Sequence, residues 1–302
     1  MFTTIGGHAN VPNGGGEVMR VAVVIPTYQE AENIRTAIAG VHRALPGAGV
    51  IVVDDSSPDG TAHTARECGA DVIVRPRREG LGAAYRTGWA HALARGFDVV
   101  VSMDADGSHD PNALPSFMAA IEQGADLVMG SRYVPGGRVP GWPAHRRWLS
   151  RAGSRYARVA LGLPVHDATG GFRAYRASLL RRIGVETLQA SGYGFQIELA
   201  LRTTRLGGHI VEVPITFVDR RLGTSKMHGG IIWEALVLVT RWAARERVLH
   251  RRAPRPAPLH SGTARPAPSP TLEQPAPEQI ERADRRVPTH AFTVAGEVQL
   301  GD

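Results

Sequence analysis

Residues 97–110 read Phe97-Asp98-Val99-Val100-Val101-Ser102-Met103-Asp104-Ala105-Asp106-Gly107-Ser108-His109-Asp110. The apolar, β-branched run predicts a buried strand over 97–103. Two carboxylates, separated by one small residue, follow it at once. A strand buried on both faces belongs to a mostly parallel sheet, and such sheets bind ligands beyond the carboxyl ends of their strands. Two acids held that close at a strand end need a cation. Hard oxygen ligands suit Mg²⁺ or Mn²⁺, with phosphate oxygens and water in the remaining positions. An isolated D-x-D is weak evidence, because acids are common in turns; its place directly after a buried strand gives it weight. His109 is expected at the surface rather than on the metal.

The flanking sequence repeats this plan. Apolar runs predict strands over 21–25, 50–53, 72–74 and 127–129, and helical patterns predict helices over 31–45, 61–68, 83–94 and 111–123, the last opening on Pro111. Strands alternating with helices imply βαβ units and an α/β fold with a mostly parallel sheet. Two further strand ends carry acids. The run over 21–25 leads into Pro26-Thr27-Tyr28-Gln29-Glu30, where Pro26 ends the ladder and frees Tyr28 and Glu30 to face a ligand. A plain strand-to-helix turn, with Glu30 favoured by the helix dipole, explains the same residues. The run over 50–53 leads into Asp54-Asp55-Ser56-Ser57-Pro58-Asp59-Gly60-Thr61. Turn and capping chemistry accounts for residues 57–61 but not for two adjacent acids. One of them is expected to accept hydrogen bonds from a nucleobase or ribose. Glu79-Gly80-Leu81-Gly82-Ala83 lacks the third glycine of a dinucleotide fingerprint and reads as packing and a helix cap.

Composition sets the limits. With 302 residues and 43% hydrophobic content the chain can bury a sizeable core, which excludes a wholly disordered protein. One cysteine, Cys68, excludes an intramolecular disulfide and a Cys-rich zinc module, and reads as a buried thiol. No apolar run is long enough to span a bilayer, and the start lacks a basic n-region and an apolar h-region. The expectation is a cytoplasmic protein. Residues 1–18 are Gly-rich and polar, and 9 of the 21 prolines fall in residues 251–302. Both segments are expected to be disordered, leaving a folded domain over 19–250.

The net charge is +7, and all but one of the 35 basic residues are arginine. No acid occurs between Asp126 and Asp167, but seven arginines do: Arg132, Arg138, Arg146, Arg147, Arg151, Arg155 and Arg158. Read as a helix from about Ala144, this stretch places Arg147, Arg151, Arg155 and Arg158 on one stripe, with Trp148, Ala152, Tyr156 and Val159 beside it. That pattern fits either a solvated basic face or a helix lying on an anionic membrane surface. A second apolar segment, 231–239, is flanked by Arg241 and Arg245; it suits the membrane interface or packing on the sheet. The lone lysine, Lys226, and Arg220 flank a turn able to close over a polyphosphate. Aromatics are not interleaved as stacking platforms, so nucleic acid is not an expected partner.

These residues resemble the family 2 glycosyltransferases of the GT-A fold, and more narrowly the polyprenol (dolichol) phosphate mannose synthases. The resemblance runs from about Val21 to Trp242. Besides the three acid-bearing strand ends it rests on Gly130-Ser131-Arg132-Tyr133, Asp167-Ala168-Thr169-Gly170-Gly171-Phe172-Arg173-Ala174-Tyr175, Gly192-Tyr193-Gly194-Phe195-Gln196 and Val213-Pro214-Ile215-Thr216-Phe217-Val218-Asp219-Arg220. It implies that Pro26, Tyr28, Glu30, Val53 and Asp55 hold the guanosine of GDP-mannose. Asp104, Ala105 and Asp106 would contact the sugar diphosphate, with Asp106, Ser108 and Asp104 around the metal. Arg132, Arg220 and Lys226 would bind phosphates of donor or acceptor, and Arg146 and Ser150 would add acceptor-phosphate contacts.

The reaction so implied is transfer of mannose from GDP-mannose to polyprenyl monophosphate, with inversion. Asp104, Asp106, Arg132 and Arg220 would carry it, on the cytoplasmic face of the membrane. Two rivals remain: a UDP-glucose-dependent polyprenyl-phosphate glucosyltransferase, and an inactive GT-A domain serving as a membrane scaffold. Some relatives carry C-terminal transmembrane helices where this chain has its Pro-rich segment, so a separate membrane-anchoring protein is a further candidate partner.

Overall fold

A computed structural model of the protein describes residues 10–12, 18–188, 192–219 and 236–245. The expectations for residues 1–9, 13–17 and 246–302, and for Arg220, Lys226 and 231–235, fall outside the described residues. Eight strands form one sheet: β1 (Asn10–Pro12), β2 (Val18–Thr27), β3 (Gly49–Asp54), β4 (Asp71–Val74), β5 (Val99–Ser102), β6 (Leu127–Ser131), β7 (Arg173–Arg176) and β8 (Ile210–Pro214). Their order is β4-β3-β2-β5-β7-β6-β8, with β1 paired to β2.

Pairing is parallel from β4 through β5 and between β6 and β8, while β7 runs antiparallel to both β5 and β6. Two reversals cancel, so β6 and β8 point the same way as β5. The carboxyl ends of β2, β3, β5, β6 and β8 and the amino end of β7 therefore open on one edge of the sheet. The fold is the expected α/β sandwich, built on a mostly parallel sheet.

Alternation along the central strands divides the core. Val21, Val23 and Ile25 of β2 and Val99 and Val101 of β5 face one layer, with α1 (Ala31–Ala44) and α4 (Leu114–Glu122). Ala22 and Val24, Ile51 and Val53, and Val100 face the other, with α3 (Leu81–Ala94), α6 (Ala177–Ile183) and α7 (Gly192–Arg205). Period-2 alternation within these runs is what lets both faces be covered. α1 buries Ile34, Ala37, Ile38 and Val41, a 3–4 spacing that marks one helical face. α3 buries Ala84, Tyr85, Gly88, Trp89 and Ala92. A Cβ on Gly88 would lie 2.3 Å from Val24 Cγ1, so only glycine lets the helix lie this close to β2. α2 (Thr61–Glu67) is short and covers the β3–β4 end.

α5 (Ala144–Leu161) buries only Ser154, Ala157 and Leu161. Trp148 and Val159 are 71% and 74% exposed, and Leu149 and Tyr156 are exposed beside them. A helix over 236–245, here α8, buries Val239 and Ala243 in the same core as Ala157 and Leu161. Tyr156 Oη and Thr240 Oγ1 share a hydrogen bond of 2.8 Å, joining α5 to α8. Cys68 is half-buried rather than buried, because it follows α2 at the margin of its layer. No helix among the described residues is long and apolar enough to cross a membrane.

Candidate active site

Three loops at the carboxyl edge are built by short-range polar contacts. Asp54 ends β3 and accepts from Thr27 Oγ1 (2.9 Å), Ser57 N (2.8 Å) and Ser57 Oγ (2.6 Å). Turn chemistry thus does account for Asp54, contrary to the expectation from sequence. Its partner Thr27 comes from β2, a neighbour that spacing along the chain does not reveal. Asp55 faces Arg75, whose Nε and Nη2 lie 2.7 and 2.6 Å from the same carboxylate oxygen. Gln29 and Ser56 adopt positive φ (57° and 52°), conformations that cost non-glycine residues energy and concentrate at functional sites. They lie just beyond the ends of β2 and β3. Beside them the Arg78 guanidinium lies 4.5 Å from the Tyr28 ring centre, and half-buried Glu30 accepts from Asn33 Nδ2 (2.8 Å). Asp59 secures the loop. Burial pushes its carboxyl up, but hydrogen bonds from Thr61 and Ala31 outweigh that and hold it below the usual range.

The D-x-D motif follows β5. Asp104 Oδ1 accepts from Tyr85 Oη at 3.0 Å. Burial, then the charge of Asp104, push the Tyr85 phenol well above its usual range, so it stays protonated and a donor. Asp106, buried, accepts from Ser108 N at 3.0 Å. Ser108 is also buried, and its Oγ has no hydrogen-bond partner. Two carboxylates and a bare hydroxyl, all oxygen donors, fit a small divalent cation that keeps its other positions for phosphate and water. Among the described residues no cluster of three His, Cys, Asp or Glu offers a fuller protein cage. His109 is buried rather than at the surface. Its ring stacks on Phe172 (5.0 Å), and its Nδ1 accepts from Asp104 N (3.0 Å), so it braces the motif from behind.

Beyond β6 lies the basic half. Arg132 is buried against Asp167, with Nε and Nη2 each 2.6 Å from a carboxylate oxygen and its backbone N–H 3.0 Å from the same group. Burial raises the Asp167 carboxyl, but the Arg132 charge and hydrogen bonds outweigh it and hold the group below its usual range. Glu212 of β8 in turn accepts from the backbone N–H groups of His166 (2.7 Å) and Asp167 (2.9 Å). The Arg132 guanidinium lies 5.2 to 5.6 Å from the ring centres of Tyr133, Trp142 and Phe217. Arg146 pairs with Asp219 (2.6 Å), and Ser150 Oγ accepts from Tyr133 Oη (2.6 Å). The acid-free stretch 127–166 thus receives acids from elsewhere, and two of its arginines are neutralised.

Arg138, Arg147 and Arg151, with Arg132, line a cavity of about 390 Å³ that Gly137 and Val139 also wall. No ion pair within the described residues engages Arg138, Arg147 or Arg151. Sequence spacing placed Arg147 and Arg151 on one stripe, read as either a solvated basic face or a membrane-facing one; both are exposed, and both line this cavity. Gly137 makes the wall possible, since a Cβ there would fall 2.6 to 2.7 Å from the backbone of Ser131 and Arg132. Phe217 joins the two halves of the site, 5.7 Å from the His109 ring and 5.4 Å from the Arg132 guanidinium. Arg138, Arg147 and Arg151 were legible as members of an arginine-rich stretch, Arg147 and Arg151 on one helical stripe; which arginines of the stretch form ion pairs depends on long-range contacts.

Residues 22–184 match the family described as Glycosyl transferase family 2. An undecaprenyl-phosphate mannosyltransferase of Micrococcus luteus is 50% identical over 234 residues, covering 76% of this chain and 96% of that protein. A polyprenol monophosphomannose synthase of Mycolicibacterium smegmatis is 47% identical over 235 residues, 76% of this chain and 89% of that protein. Among solved structures, glucosyl-3-phosphoglycerate synthase of Mycobacterium tuberculosis, in complex with Mn²⁺, UDP and glucosyl-3-phosphoglycerate, aligns with a TM-score of 0.59 at 25% identity, covering 75% of this chain and 80% of that one. Matched over half its length by the family, and half identical to a member along nearly that member's whole sequence, this chain belongs to glycosyltransferase family 2 and has its GT-A fold.

Proposed function

We propose that the protein transfers mannose from GDP-mannose to a polyprenyl monophosphate, giving polyprenyl phosphate β-mannose and GDP. The observation that carries this reading is adjacency: the D-x-D carboxylates and an arginine-lined cavity meet across Phe217 on one sheet edge. A nucleotide-sugar site beside an anion site suits an acceptor that is itself a phosphate. The similar proteins named for undecaprenyl phosphate and polyprenol support the same acceptor class.

On this reading guanosine sits over the ends of β2 and β3, against Pro26, Tyr28, Glu30, Val53 and Asp55. Asp104, Ala105 and Asp106 face the diphosphate. Asp104, Asp106 and Ser108 would hold Mg²⁺ or Mn²⁺, which supplies charge stabilisation to the departing diphosphate. The acceptor phosphate enters the cavity beside Arg132, where Arg138, Arg147 and Arg151 supply net positive field and Arg146 and Ser150 lie close by. Arg220 and Lys226, just beyond Asp219, are assigned to the same phosphates. A phosphate monoester has a second pKa of about 6, so its attacking oxygen is already largely dianionic at neutral pH and needs no general base. The residues have a different task, which is to hold two anions together against their repulsion. Single displacement on an α-linked donor gives the β product.

The exposed Trp148, Leu149, Tyr156 and Val159 beside Arg155 and Arg158 form the face we assign to an anionic membrane surface, where the acceptor resides. A separate membrane protein as anchor is compatible with this placement. The test is transfer from radiolabelled GDP-mannose to a short polyprenyl phosphate, with Mg²⁺ and then with chelator. Metal-dependent label in the lipid phase is the expected result. Label from UDP-glucose alone would replace the donor, and none from any sugar nucleotide would leave a scaffold.

A further inference from the structure

Gln196, near the start of α7, is 3% exposed, and neither Oε1 nor Nε2 of its carboxamide has a hydrogen-bond partner. A buried amide left bare is costly, and native proteins seldom keep one without a use. Exchanging its O and N changes nothing, since both atoms are unpaired. Its neighbours place it within the site. Ser102 of β5 pairs with Arg173 of β7, and Gly171, two residues before Arg173, lies near His109, whose ring accepts from Asp104 N. A Cβ on Gly171 would lie 3.6 Å from His109 Cε1 and 3.8 Å from Gln196 Nε2, ordinary contact distances. The space beside Gly171 therefore accepts a small group between imidazole and carboxamide without displacing either. Phe195, the preceding residue, stacks on Tyr85 at 6.4 Å, and Tyr85 holds Asp104, so this end of α7 is tied to the D-x-D motif.

We propose that the Gln196 carboxamide reads two adjacent hydroxyls of the donor hexose and is a specificity determinant of the transfer. A carboxamide offers one acceptor and one donor group side by side, and vicinal hydroxyls match both. Strand order selects the sugar over the base. With the diphosphate at the end of β5 and the nucleoside over β2 and β3, the remaining part of the donor extends to the other side of β5, toward β7 and Gly171. This inference rests on the nucleotide-sugar reading and adds to it the element that recognises the sugar.

Gln196→Met keeps length and volume and removes both polar atoms. The melting temperature, binding of GDP and of GDP-mannose by calorimetry, and kcat/KM with GDP-mannose and GDP-glucose are compared with the unmodified protein. The expected result is an unchanged or raised melting temperature and unchanged GDP affinity. The kcat/KM for GDP-mannose falls roughly ten- to a hundredfold, and discrimination between the two hexoses shrinks. A lowered melting temperature would make the carboxamide structural, held through buried water, and would overturn the proposal. So would equal losses for GDP and GDP-mannose, or no loss for either. If the unmodified protein uses UDP-glucose instead, the donor reading fails, yet UDP against UDP-glucose still tests Gln196. A protein that binds no sugar nucleotide would overturn both.

Discussion

Arg132 and Asp106 show how far a residue's charge is set by its partners. Arg132 faces the cavity, but the buried Asp167 offsets its charge. Breaking a buried pair by removing one partner typically costs about 3–5 kcal/mol, so Asp167→Asn is expected to lower stability by a loss of that order, measured by urea unfolding. The pH dependence follows. The folded-state carboxyl of Asp167 lies below its unfolded value. Its contribution is present above the unfolded pKa of about 4 and is lost as pH falls through the folded value. Asp167→Asn should therefore flatten the acid limb of a stability profile and leave the neutral plateau lower. Asp106→Ala, by contrast, removes a buried carboxylate that we assign to the metal. It is expected to abolish transfer while the circular dichroism spectrum stays that of the native fold; near-normal metal-dependent activity would defeat the proposed mechanism. Arg147 and Arg151, which no ion pair among the described residues engages, are where acceptor affinity is expected to lie. Arg147→Ala with Arg151→Ala should raise KM for the lipid phosphate at least tenfold with little change for GDP-mannose, an effect that weakens as salt screens the site.

At the scale of elements, α5 and α3 divide the same physics differently. The small inner face of α5, Ser154, Ala157 and Leu161, lets it sit on the core while Trp148 and Val159 point outward. Trp148→Ser with Val159→Ser should reduce flotation with anionic vesicles and leave turnover of a soluble short-chain acceptor intact, because neither residue lines the cavity. Recovery of the variant with the vesicles at the unmodified level would remove α5 from the membrane face. α3 has no such freedom. Gly88→Ala would drive a methyl into Val24, and overpacking of this kind costs about 1–3 kcal/mol, visible as a lower melting temperature. The elements around β2 to β5 were legible because β-branched runs ended in turn chemistry. The strand β7 was not, since Arg173-Ala174-Tyr175-Arg176 carries two arginines where a buried strand should be apolar. Arg173 is nevertheless fully buried, donating to the carbonyls of Gly170, Ala168 and Gln196, and only the folded chain brings those acceptors to it.

For the molecule as a whole, the reversed strand β7 has the largest functional consequence. Its amino end delivers Gly170 and Gly171 to the edge where the parallel strands deliver their carboxyl ends, and α7 follows with Gln196. The sequence by itself determined the α/β class, the acid-bearing strand ends, the family resemblance and an arginine-rich flank, because periodicity, turn chemistry and motif spacing are local properties of the chain. Tertiary structure alone decided which charges act. Asp167 and Asp219, 35 and 73 residues along the chain from their partners, pair with Arg132 and Arg146, and no ion pair among the described residues engages Arg138, Arg147 or Arg151 of the cavity. It also decided that His109 is a buried brace, that Asp54 belongs to a turn, and that the Gln196 carboxamide is bare. Hydrogen bonding and charge pairing act over a few ångströms of space whatever the separation along the chain, so they were settled only when the sheet closed.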